Sequence, residues 1–123
     1  MVDMADFMTR LRALCAGLPE AEEYLMHGHP SFRAGSKAFA IVSDGSGHEV
    51  DFGISVKVDL LEQPVVLEDP RFARTHYIGQ HGWVTLDLSS EWTWGELERL
   101  VLNSYRRVAL KRMLKALDAQ ASA

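Results

Sequence analysis

The residues able to do chemistry in this chain gather in two places. The stretch His27-Gly28-His29-Pro30-Ser31-Phe32-Arg33 carries two histidines, and Thr75–Leu88 (THYIGQHGWVTLDL) carries His76, Tyr77, His81 and Trp83 in close succession. Imidazoles can move protons or bind metals near neutral pH. Pro30 biases His29 toward extended backbone, and in an extended segment His27 and His29 share a face. A metal needs three or four ligands in a fixed geometry. His76 and His81 are the only plausible additions, and nothing in the sequence brings them near, so no metal site is expected. No Gly-x-Ser-x-Gly, His-Glu-x-x-His or phosphate-loop sequence is present. The turn Asp44-Gly45-Ser46-Gly47 leads into a strand pattern rather than the helix that a phosphate cradle requires. The chain reads as a binding protein without cofactor, not as an enzyme. Cys15, the single cysteine, excludes an internal disulfide; it lies on an apolar helical stripe and reads as a buried, inert thiol.

The elements that would position these residues follow from periodicity. Asp3 can cap a helix over Met4–Ala16, whose stripe is Phe7, Leu11, Leu14, Cys15 and Leu18; Gly17 and Pro19 end it. Tyr24–Met26 reads as a short edge strand. Ala38–Ser43 reads as a strand with Phe39 and Ile41 on one face, and Val50–Val58 as its antiparallel partner with Phe52, Ile54, Val56 and Val58 inward. Asp59 and Glu62 could box a short helix that Pro64 interrupts or restarts. Thr75–Leu88 reads as a hairpin connected tightly at Gly79–Gly82. Thr93 and Glu96 form a capping-box signature for a long helix from about Trp94 to Ala116, and the tail from Asp118 should fray.

The charge is uneven. Formal net charge is -4, with 47% hydrophobic and 24% charged residues, an ordinary globular composition that argues against a generally basic nucleic-acid binder. Yet Arg99, Arg106, Arg107, Lys111, Arg112 and Lys115 fall in one segment without an acid. Subtracting these six from -4 leaves -10 for the rest. Arg99, Arg107, Lys111 and Lys115 lie on one i+4 row, which is either a solvated face or a phosphate-contacting one. The opening MVDMADFM has neither a basic n-region nor an apolar core, and no apolar run is long enough for a bilayer, so a cytoplasmic protein without membrane partners is expected.

Several blocks resemble the MmcQ/YjbR family. They are Gly28-His29-Pro30-Ser31-Phe32-Arg33, Gly35-x-Lys37-x-Phe39-Ala40, Lys57-Val58-Asp59, Asp69-Pro70-Arg71-Phe72 to Thr75-His76-Tyr77, His81-Gly82-Trp83-Val84, and Ser104-Tyr105-Arg106-Arg107-Val108-Ala109 followed by Lys111-Arg112. They occur in the family's order and span nearly the whole chain. The resemblance implies one α+β domain over residues 1–123, in two layers. It has an N-terminal helix, an antiparallel sheet of about five strands, a short middle helix and a long C-terminal helix, and is similar to type III secretion chaperones. It also implies DNA binding, through a double-wing arrangement of hairpins; the cationic helix face supplies Arg99, Arg106, Arg107, Lys111 and Lys115 as candidate contacts for such a partner. The first wing tip here, Ser43–Glu49, is acidic and would repel phosphate; the second, Gly79–Gly82, is neutral unless His81 is protonated. Related chains often have a proline before His76 and another at Leu110; without the second, the last helix is expected to run unbroken.

The alternative is a protein partner or a small anionic, partly apolar ligand. It would be held by His29, Phe32, Arg33, Lys57, His76, Tyr77, His81, Trp83 and Tyr105, provided these converge on a cleft between sheet and C-terminal helix. Trp83 and Tyr105 read equally as core anchors with satisfied polar tips.

Overall fold

The computed structural model describes residues 3–44 and 50–121. Helix α1 (Met4–Ala16) buries Phe7, Met8, Leu11 and Cys15. Asp3 precedes it in extended backbone, but its side chain caps nothing; the Phe7 N–H donates to the Asp3 carbonyl instead. Six strands follow: β1 (Ala21–Met26), β2 (His29–Ala34), β3 (Lys37–Asp44), β4 (Phe52–Lys57), β5 (Phe72–Arg74) and β6 (Trp83–Asp87). They form one sheet in the order β1-β2-β3-β4-β6-β5, antiparallel throughout. The strand beyond the expected five comes from the His29–Ala34 stretch, whose Pro30 is tolerated opposite Leu25 near the edge.

Directly opposed residues share a sheet face. Phe32, Ala40, Val56 and Val84 oppose one another across four strands, as do Val42, Ile54 and Leu86, and all are buried in the core. Phe39 departs from the expected pairing with Ile41. The register slips here, so Phe32 opposes Ala40 while Arg33 opposes Ala38, and Phe39 is the extra residue of a bulge. The bulge turns Phe39 inward beside Ala40, where its ring meets Tyr105 edge-on at 5.4 Å. Ile41 stays on the opposite face.

Between the strands, α2 (Gln63–Val66) is a single turn with Pro64 in its first positions. The Asp59 side chain accepts from the Leu61 N–H, not from a box with Glu62. The expected Thr75–Leu88 hairpin is also re-drawn. Its first arm is β5, upstream at Phe72–Arg74, and residues 75–78 form a turn leading into a 3-10 turn at Gly79–His81. Gly82 (φ +96°) closes it. A Cβ there would lie 2.3 Å from the Val58 carbonyl, whose residue donates its N–H to Gly82 O.

Thr93 and Glu96 close the capping box as read, starting α3 (Trp94–Val108). The unbroken C-terminal helix is not found. Ala109 is extended (φ -65°, ψ 146°), and a separate α4 (Lys111–Ala121) follows, carrying residues 118–121 in helix rather than fraying. Packing explains the break. Val101, Tyr105 and Val108 bury one stripe of α3, whose next position is the charged Arg112. Met113 lies about 110° off the centre of that stripe on a straight helix. Breaking at Ala109 lets Met113 bury completely beside the β2–β3 turn at Gly35. Leu117 then lines a cleft with Leu14, Leu18 and Leu102.

Candidate functional site

The nine polar-aromatic candidates do not share one cleft. Phe32 and Tyr105 are core residues on the helix side, and the Tyr105 hydroxyl donates to the Pro19 carbonyl at 2.6 Å. His29, Arg33, Lys57 and Trp83 lie on the other face, since they alternate along their strands with core residues such as Phe32, Val56 and Val84. His76, Tyr77 and His81 occupy the turn beyond β5, all exposed; Tyr77 has a left-handed φ of +63° and its ring meets His76 at 4.1 Å. His27 also has positive φ (+51°), in the β1–β2 turn, so it does not continue the extended face of His29. Among the described residues, no three His, Cys, Asp or Glu side chains gather as metal ligands. Burial pushes the Cys15 thiol up to about 12, as suits an inert core cysteine.

The outward face holds a compact group at β1–β2. Tyr24 opposes Ser31, Glu22 opposes Arg33, and Met26 opposes His29. The Arg33 guanidinium lies 4.7 Å over the Tyr24 ring. Farther along, Ser55 and Thr85 share a 2.8 Å hydroxyl contact and Thr75 joins Thr85 at 2.9 Å, a buried ladder crossing β4, β6 and the end of β5.

The cationic segment is split by the break at Ala109. Three of its members are engaged: Arg106 with Asp118 (3.2 Å), Arg107 with Asp59 (3.5 Å) and Arg112, through two nitrogens, with Glu20 (2.8 Å). Arg99, Lys111 and Lys115 make no ion pair with described residues. The expected acidic tip at residues 45–49 lies outside the described residues.

Between α2 and α3 runs a groove of two adjoining clefts, about 400 and 380 Å³, floored by Val66 and Leu100. Arg99 stands at one end and Arg107 at the other, but Asp59, Glu62, Asp69 and Glu96 line it too, so it does not suit a polyanion. Beside it Arg71 is fully committed. Its guanidinium donates to Asp69 and Glu96 and to the Glu91 carbonyl, tying the β5 approach to the start of α3. Hydrogen bonds from Arg71 hold the Asp69 and Glu96 carboxyls below their ordinary range.

One residue that pattern reading passed over organises this region. Ser104, fully buried, accepts from the Lys57 N–H (2.9 Å) and donates to the Phe39 carbonyl (2.6 Å). It thereby joins Phe39 of β3 to Lys57 of β4 just beyond their last paired residues, Ala40 and Val56. Ser104 opens the last of the family-like blocks, but nothing in its neighbourhood in sequence reveals the bridge.

A YjbR family profile matches residues 16–107, about three quarters of the chain. The chain belongs to the YjbR family. No match was found among curated proteins. Among solved structures, the YjbR chain is similar to Deinococcus radiodurans protein DR2400, whose structure is described by the domain DUF419. The TM-score is 0.71 at 21% identity, over 90% of this chain and 87% of that one. That likeness is one of fold: the α+β arrangement with one antiparallel sheet is shared. Among the described residues, no helix of this YjbR protein is long and apolar enough to cross a membrane.

Proposed function

We propose that this YjbR protein is a non-catalytic nucleic-acid-binding module that contacts the phosphate backbone at the corner where α3 meets α4. The observation that carries this reading is the set Arg106, Arg107, Lys111 and Lys115, all exposed and flanking the Ala109 break in sequence. Lys111 and Lys115 are free of ion pairs with described residues, and the acids facing Arg106 and Arg107 are exposed. Exposed pairs are worth no more than about 1 kcal/mol, so a phosphate can replace Asp118 or Asp59. Base edges play no part in such a contact, and the binding is independent of sequence.

Fluorescence anisotropy of a labelled duplex, titrated at low and at physiological salt, tests it. Four phosphate contacts predict a log–log salt slope of about -4. The double variant Arg107→Glu/Lys111→Glu should abolish binding. A duplex that stays unbound at low salt overturns the reading.

A further inference from the structure

Two side-chain atoms among the described residues are buried without any hydrogen-bond partner: His29 Nδ1 and Arg33 Nε. They sit on the same strand and the same sheet face, with only Ser31 between them on that face. Arg33 leans toward His29. Its guanidinium covers the ring of Tyr24, which stands opposite Ser31 and so between the two. The one acid near Arg33, Glu22, is 3.7 Å from Nε, too far for a hydrogen bond, and is itself mostly exposed. Buried donors are almost always satisfied, and a nitrogen left without an acceptor asks for one. Here the two unfilled nitrogens belong to the two side-chain types that bind oxyanions best. Guanidinium offers a planar fork of donors that matches two oxygens of one carboxylate or phosphate, and imidazole supplies a further N–H. Tyr24 fixes the plane of the fork by stacking.

We propose that the outward face of β1–β2 is an oxyanion-binding site, with Arg33 and His29 as donors and Tyr24 as the platform. The oxyanion is a phosphoryl or carboxylate group that takes the hydrogen bonds Glu22, 3.7 Å away, leaves unmade. Arg33 keeps 39% of its side chain exposed, enough for the guanidinium to turn its Nε edge outward onto the anion. The site lies on the sheet face turned away from α3 and does not depend on the nucleic-acid reading.

The test is an NMR titration that follows the Arg33 side-chain Nε–H and the His29 ring. The probes are inorganic phosphate, acetate and chloride at matched ionic strength. Saturable shifts with phosphate and acetate support an oxyanion site; saturation with only one of them supports it and names the group. Arg33→Lys keeps the charge but loses the fork, and should weaken the saturable phase at least about tenfold. His29→Ala should weaken it as well. Lys57→Gln, on the same face but two strands away, should leave it unchanged. Equal, non-saturating drift with all three anions overturns the proposal, and so does an Arg33→Lys protein that binds as tightly as the parent. Both positions are partly exposed, so the variants should fold; their backbone spectra report this directly.

Discussion

Ser104 carries more than its size suggests. Its hydroxyl joins the Lys57 N–H of β4 to the Phe39 carbonyl of β3. Ser104→Ala removes both of these bonds and should cost about 1–3 kcal/mol in urea denaturation. Ser31 is equally buried, but among the described residues its hydroxyl bonds only the carbonyl of His29 two residues away. Ser31→Ala should therefore cost less than Ser104→Ala, and a reversed order would contradict the bridging role. At this scale the sequence was legible where a side chain packs by type: Phe7, Leu11, Cys15 and Val101 are inward as their spacing predicts. It was not legible where position depends on a register slip. Strict alternation placed Phe39 with Ile41, and no local feature of the strand reveals the extra residue that turns it inward.

Among the elements, the break between α3 and α4 separates local propensity from packing. Nothing at Val108-Ala109-Leu110-Lys111 disfavours helix, and the missing proline argued for continuity. The core decides otherwise, because Met113 cannot join the stripe of Val101, Tyr105 and Val108 without it. Ala109 already has the extended backbone that a following proline prefers. Leu110→Pro should thus be tolerated and stabilise by about 0.4–1 kcal/mol. In a continuous helix the same change would cost about 3 kcal/mol, so denaturation midpoints separate the two cases. The Arg71 clamp makes a second element-scale prediction. Asp69 and Glu96 titrate below their unfolded values because Arg71 donates to both. Their contribution is present above the unfolded carboxylate range of about pH 4 and is lost as pH falls through the lowered folded values. Arg71→Gln should flatten the acid limb of a melting-temperature profile between about pH 5 and 2, with little change in its shape near neutrality.

Across the whole molecule, the order of helices and strands was readable from capping boxes, turn residues and the ordered family-like blocks. The partition of the polar-aromatic residues was not. His29, Arg33 and Trp83 were separated from Phe32 and Tyr105 by the two faces of one sheet, a distinction that needs the pairing of β1, β2, β4 and β6. Charge follows the same lesson. The cations of residues 99–115 are contiguous in sequence, but folding sets Glu20, Asp59 and Asp118 against three of them. The free charge is therefore smaller than a count of residues suggests, and the salt slope of any duplex complex should be correspondingly modest. The Ser104 bridge bears also on the order of events during folding. The hydroxyl reaches Phe39 from 65 positions away and Lys57 from 47. The link between Phe39 and Lys57 cannot form until α3 has docked. Placement of Lys57 beside Phe39 and arrival of α3 are then one step.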